Sequence, residues 1–221
     1  MSNIIVKFDR EEFEVDKSDT LMKLHKEVLS AYDKCTGTEY DEALYACLAD
    51  GINVNEDRAK AIREGKAVAE NLEEVAYVQY INAVNYVCTQ NGSITQKFLK
   101  SLVSMLSSDS PLHTITSNHT RALLNLWSVL ELDAPPLIGA AVIEYICGYY
   151  NIAGSVNGRF SRLLAQYYLA AHNIEKISSV SLSHSVYVVP VDKRIKATDI
   201  SINQWCLEYM LRLKYTFGGI L

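Results

Sequence analysis

One stretch of the chain carries residue types and spacings that could do chemistry. It reads Asn151-Ile-Ala-Gly-Ser-Val-Asn-Gly-Arg-Phe-Ser-Arg162 and joins two apolar runs with helical spacing. Gly154, Asn157 and Gly158 lie at the junction, and Arg159 and Arg162 fall in the first turns of the second helix. A helix N-terminus offers unpaired N–H groups and a partial positive charge. Glycine lets a backbone approach a ligand closely, and arginine's fork of donors suits phosphate oxygens. The two arginines, three apart, share a helix face beside the apolar stripe. The segment predicts an anion site on Gly154, Asn157, Gly158, Arg159 and Arg162. The competing reading is a plain turn followed by solvated arginines.

The elements that must position these residues are mainly helical. Residues 3–16 alternate weakly and predict a short N-terminal strand or hairpin. Leu21, Leu24, His25 and Val28 keep helical spacing, and Thr38 to Asp50 predicts a helix ended by Gly51. Asn55 is placed to cap a helix stopped by Gly65, and Ser93 to cap Ile94–Leu106. Asn71 to Gln90 predicts a long helix with Val75, Val78, Ile81, Val84 and Val87 on one face. Ser107 to Asn118, with His113, is expected as a loop, and His119 is grouped with it. Asp133-Ala-Pro-Pro136 signals the helix that runs to Tyr150, and a last helix runs to Leu213. The chain divides into a 1–35 N-terminal extension and a 36–221 helical domain.

Composition narrows the function classes. The 221 residues are 49% apolar and 21% charged, enough for a full core and against disorder. The net charge of −5 argues against a broad nucleic-acid surface. Cys35, Cys47, Cys88, Cys147 and Cys206 form no CxxC pair, so a zinc or disulfide framework is not expected and a cytoplasmic setting is. Met1 to Arg10 is too weakly apolar for a leader, and Pro135 to Tyr150 carries Glu144 and is too short to span a bilayer, so no membrane partner is expected.

The junction resembles the Fic (filamentation induced by cAMP) family, whose hallmark is His-x-Phe-x-Asp/Glu-Gly-Asn-Gly-Arg-x-x-Arg between two helices of an all-α core. Asn157-Gly158-Arg159-Phe-Ser-Arg162 matches its second half. Pro135 to Tyr145 resembles the helix leading in, and Leu163 to Leu169 with Ser181-Leu-Ser183 its continuation. Glu42 to Ile52 is similar to the helix that self-inhibits many Fic enzymes. The resemblance covers residues 40–215 and implies an all-α, Fic-like helical bundle. It also implies a nucleotide, ATP or another, at Gly158, Arg159 and Arg162, and transfer of AMP to a protein hydroxyl.

The departures from the hallmark bear on that activity. The base histidine aligns with Asn151, and an amide cannot take a proton near pH 7. The Mg²⁺-binding acid aligns with Ser155, a poor ligand for a hard cation, so no metal is expected. Ala153 stands at the aromatic position and Val156 at the first glycine. Tyr150 and the two histidines are weak candidates to replace the base. In the inhibitory helix, Ala46 replaces the Ser/Thr and Asp50 the Glu, which the resemblance pairs with Arg162. Tyr145, Tyr149, Tyr150, Tyr167 and Tyr168 could stack on a base, but their spacing favours core packing. The expectation is a degenerate Fic-fold protein, impaired in AMP transfer, that retains phosphate binding and works on a protein partner. The alternatives are a transferase with altered chemistry and a helical adaptor.

Overall fold

A computed structural model describes residues 3–32, 42–90, 92–107, 115–174 and 196–218. Two strands open the chain, β1 (Ile4–Phe8) and β2 (Glu11–Val15), paired antiparallel with Phe8 opposite Glu11 and Ile4 opposite Val15. Asp9, at φ +52°, turns the hairpin. Ile4, Val6 and Phe8 alternate with exposed residues and face inward. The helices are α1 (Asp19–Tyr32), α2 (Glu42–Ala49), α3 (Glu56–Arg63), α4 (Leu72–Cys88) and α5 (Gln96–Leu106). They continue as α6 (Ser117–Asp133), α7 (Pro136–Tyr150), α8 (Asn157–Ala171) and α9 (Ile202–Gly218). A single 3₁₀ turn, Gly154–Val156, enters α8.

The local signals explain most boundaries. Asn55 and Asn71 each accept the N–H three residues on, from Arg58 and Glu74. Thr95 caps α5 through Phe98 N, so the cap lies two residues past the expected Ser93. Thr116 caps α6 through His119 N, which puts His119 in a helix and not in a loop. Gly51 leaves α2 at φ +79°.

α7 is the central helix. Every residue from Leu137 to Cys147 is buried, Glu144 included. It packs most extensively on α8, and a methyl on Gly139 would strike the Tyr168 ring. The hairpin and α1 share the same core through Phe8, Val15 and Val28. α4 turns a different face inward than its valines suggest. Tyr77, Tyr80, Ala83 and Val87 are buried, while Val75, Val78, Ile81 and Val84 are half-buried. Tyrosine buries more area than valine, and the neighbouring helices take the tyrosine stripe.

No helix among the described residues is long and apolar enough to cross a membrane. The described cysteines, Cys47, Cys88, Cys147 and Cys206, are free thiols. Cys35, His113, Ser181–Ser183 and most of the expected 107–118 loop lie outside the described residues.

Candidate functional site

The α7–α8 turn is built by residues that tolerate unusual backbone. Asn151 ends α7 in the left-handed region (φ 46°, ψ 51°), with its N–H directed to the Cys147 and Gly148 carbonyls. Gly154 follows at φ +58°. Ala153 and Val156 are buried under the turn, while Asn151 and Ser155 are exposed. The Asn157 side chain closes the turn from within. Its Oδ1 accepts the Ala153 N–H at 3.1 Å, and its Nδ2 donates to the Cys147 carbonyl at 2.9 Å.

At the start of α8 stands a buried cluster of one carboxylate and two guanidiniums. Asp50, the residue after α2, accepts the Arg159 N–H at 3.1 Å and Arg159 Nε at 3.2 Å on Oδ2. Its Oδ1 pairs with Arg162 Nη2. Each arginine also reaches a backbone carbonyl of another helix: Arg159 to Ala76 on α4 at 3.3 Å, and Arg162 to Ala46 on α2 at 3.1 Å. The side chains are 6% (Arg159), 9% (Arg162) and 13% (Asp50) exposed, so these charges are shielded from solvent. The arginines are therefore neither solvated nor set beside the buried face, because Asp50 compensates them where they lie.

The electrostatics agree. Burial alone would lower the Arg162 pKa, but the charge and hydrogen bond of Asp50, with the charge of Glu144, hold it above the ordinary guanidinium value. Gly158 makes the cluster possible. A methyl there would overlap the Asp50 carboxylate, so this glycine admits an internal anion.

Of the candidate replacement bases, Tyr150 is engaged by acceptors and His119 packs beside it. Tyr150 OH lies 3.1 Å from the Phe8 carbonyl and 3.0 Å from Glu11 Oε2, both acceptors. Burial, then the Glu11 contact, raises its pKa, so the phenol stays protonated. The His119 ring packs 6.2 Å from Phe8 and 6.5 Å from Tyr150, and its buried Nδ1 has no hydrogen-bond partner. Tyr145 and Tyr149 meet Phe13, and Tyr167 stacks on Phe98. Tyr168 is fully buried with its hydroxyl on the Leu130 carbonyl. These rings are core and rim. Among the described residues no three His, Cys, Asp or Glu side chains gather as a metal site.

Asp50, Arg159, Arg162, Asn157 and Gly158, all singled out from the sequence, converge here. Asn151, Gly154 and Ser155 shape the turn at its edge. The Ala76 and Ala46 carbonyls and Glu144 as a second charge were missed. A main-chain carbonyl carries no residue-type signal, and Glu144 stood out only as the lone charge in an apolar run.

No family model matches the sequence, and no curated protein matches it either. The backbone does find similar solved structures. A Fic domain-containing signaling protein from Bacteroides thetaiotaomicron superposes with a TM-score of 0.60 at 12% identity, over 88% of this chain and 94% of that one. Fic-1 from C. elegans superposes with a TM-score of 0.57 at 12% identity, over 91% of this chain and 73% of that one. The fold is Fic-like. In this Fic-like bundle the turn between the two central helices, α7 and α8, faces the end of α2, and the Asp50–arginine cluster lies between them.

Proposed function

We propose that this is a Fic-fold protein inactive in AMP transfer, whose anion cradle is filled by its own Asp50 and whose work is done through protein contacts. The observation that carries the reading is the Asp50 carboxylate with its three donors: the Arg159 N–H, the Arg159 guanidinium and the Arg162 guanidinium. These are the donors a phosphate oxygen would need, and the internal carboxylate holds them. A nucleotide phosphate would have to displace it.

The chemistry around the cradle supports the same reading. Resemblance to the family sets a base at Asn151 and a metal-binding acid at Ser155. An exposed amide and a hydroxyl supply neither function. Tyr150 is a hydrogen-bond donor with a raised pKa. With both arginines also anchored to backbone carbonyls, the cluster serves as a cross-brace between α2, α4 and α8.

The test is a thermal-shift titration with ATP, ADP and GTP, with and without Mg²⁺, beside a label-transfer assay from ATP to protein. Wild type should show no shift and no label. Asp50→Ala should show a shift if vacating the cradle restores phosphate binding, and Arg162→Ala should abolish it. Binding at 100 times Kd would stabilise by about 2.7 kcal/mol, roughly 5–11 °C at this size. A wild-type shift of that size, lost in Arg162→Ala and accompanied by Mg²⁺-dependent labelling, would replace this reading with an active transferase.

A further inference from the structure

The two edges of the N-terminal hairpin are finished differently. A two-residue turn makes Phe8 and Glu11 a mutually hydrogen-bonded pair, so by alternation Val6–Phe13 and Ile4–Val15 are such pairs too. The N–H and C=O groups of Glu14 and Asp16 then point outward from β2, and those of Ile5 and Lys7 outward from β1. On the β2 side the Asn203 carboxamide of α9 closes the edge. Its Oδ1 accepts the Asp16 N–H at 2.9 Å, and its Nδ2 donates to the Glu14 carbonyl at 3.1 Å. One side-chain amide thus takes the place of a third strand.

α6 packs against β1, but among the described residues no side chain closes its outer edge in this way. The outward backbone groups of Ile5 and Lys7 have no hydrogen-bond partner among the described residues. The Ile5 side chain is 43% exposed, beside exposed Lys7 and Asn3. An uncovered edge strand is a template for another strand.

We infer that β1 is a docking edge for a second copy of this chain, which pairs its own β1 antiparallel across a two-fold axis through Ile5. The edge is self-complementary in that register. Ile5 faces Ile5, covering the exposed side chain on both copies. Lys7, ion-paired with Glu12 of its own hairpin at 3.1 Å, faces the neutral Asn3 amide of the second copy, so no like charges meet across the seam. A register centred on Lys7 would oppose two lysines. The Asn203 cover on β2 stops the assembly at two copies, because the joined four-stranded sheet has no second open edge of this kind.

Sedimentation velocity from low micromolar to millimolar protein, with amide hydrogen exchange at both ends of that range, tests this. The dimer fraction should rise with concentration, and the Ile5 and Lys7 amides should exchange about tenfold more slowly in the concentrated sample. Ile5→Lys sets like charges across the axis on a side chain already exposed. It should remain monomeric with an unchanged near-UV circular dichroism spectrum. A monomer at every concentration overturns the inference. So does a dimer in which these two amides still exchange freely, since another face would then make it.

Discussion

Gly158 leaves empty the space that the Asp50 carboxylate occupies, 108 positions earlier in the chain. The relationship is steric and mutual: the glycine has no other neighbour that a methyl would overlap so closely. Gly158→Ala should therefore destabilise the protein by about 1–3 kcal/mol through overpacking. In an Asp50→Ala background the same substitution should cost much less. A thermodynamic cycle of the four proteins measures this, and additive losses would disconnect the two residues.

Removing the carboxylate should be worse than removing its steric neighbour. Asp50→Ala leaves two buried guanidiniums without their counter-ion, a loss of about 3–5 kcal/mol. At this size that is roughly 6–20 °C in Tm. Pairing it with Arg162→Met should recover about 1–3 kcal/mol relative to the sum of the single losses, as expected for charges in contact. Equal Tm values for wild type and Asp50→Ala would place the cluster in solvent.

Asn151 holds a left-handed backbone at an exposed position. Asn151→Gly should change stability by less than about 0.5 kcal/mol, since glycine reaches that conformation freely. Asn151→Val should cost about 1–2 kcal/mol, because a branched side chain resists it. Urea melts of the two variants separate this backbone role from any chemistry of the amide.

Stability should fall on mild acidification because of His25. This side chain is buried on α1, its Nε2 has no hydrogen-bond partner, and burial, then Lys26, lowers its pKa below 6.5. The unfolded chain therefore takes up the proton first. The contribution is complete above pH 6.5 and is lost as pH falls through the lowered value. His25→Leu should flatten the pH dependence of Tm in that window; an unchanged slope would assign it elsewhere. A separate loss belongs to Glu74, whose carboxyl the Arg58 hydrogen bond, then the Glu70 N–H, lowers to about 2. That loss begins below pH 4.5 and continues towards pH 2.

The helix pattern was legible because its signals are local. Asn55 and Asn71 cap through a donor three residues away, and Pro136 and Gly51 mark ends through their own backbone limits. The inward face of α4 was not legible. Val75, Val78 and Val84 are as apolar as any stripe on that helix, and which stripe is buried depends on what other helices bring against it. The burial of the arginines was equally hidden, since charge near a helix start ordinarily faces water.

The sequence by itself determined the helical architecture and the junction at Asn151–Arg162, while Asp50 was implied only by the resemblance to the Fic family. Spacing, caps and glycines act within a few residues, so they can be read from the chain alone. Only the tertiary structure decided that Asp50 reaches Arg159 as well as Arg162, that the Ala46 and Ala76 carbonyls complete their bonding, and that Asn203 seals one edge of the hairpin. Those contacts join segments far apart in sequence. Buried charge is tolerated where the fold delivers an opposite charge to within hydrogen-bond distance, and that delivery is a property of the packed helices.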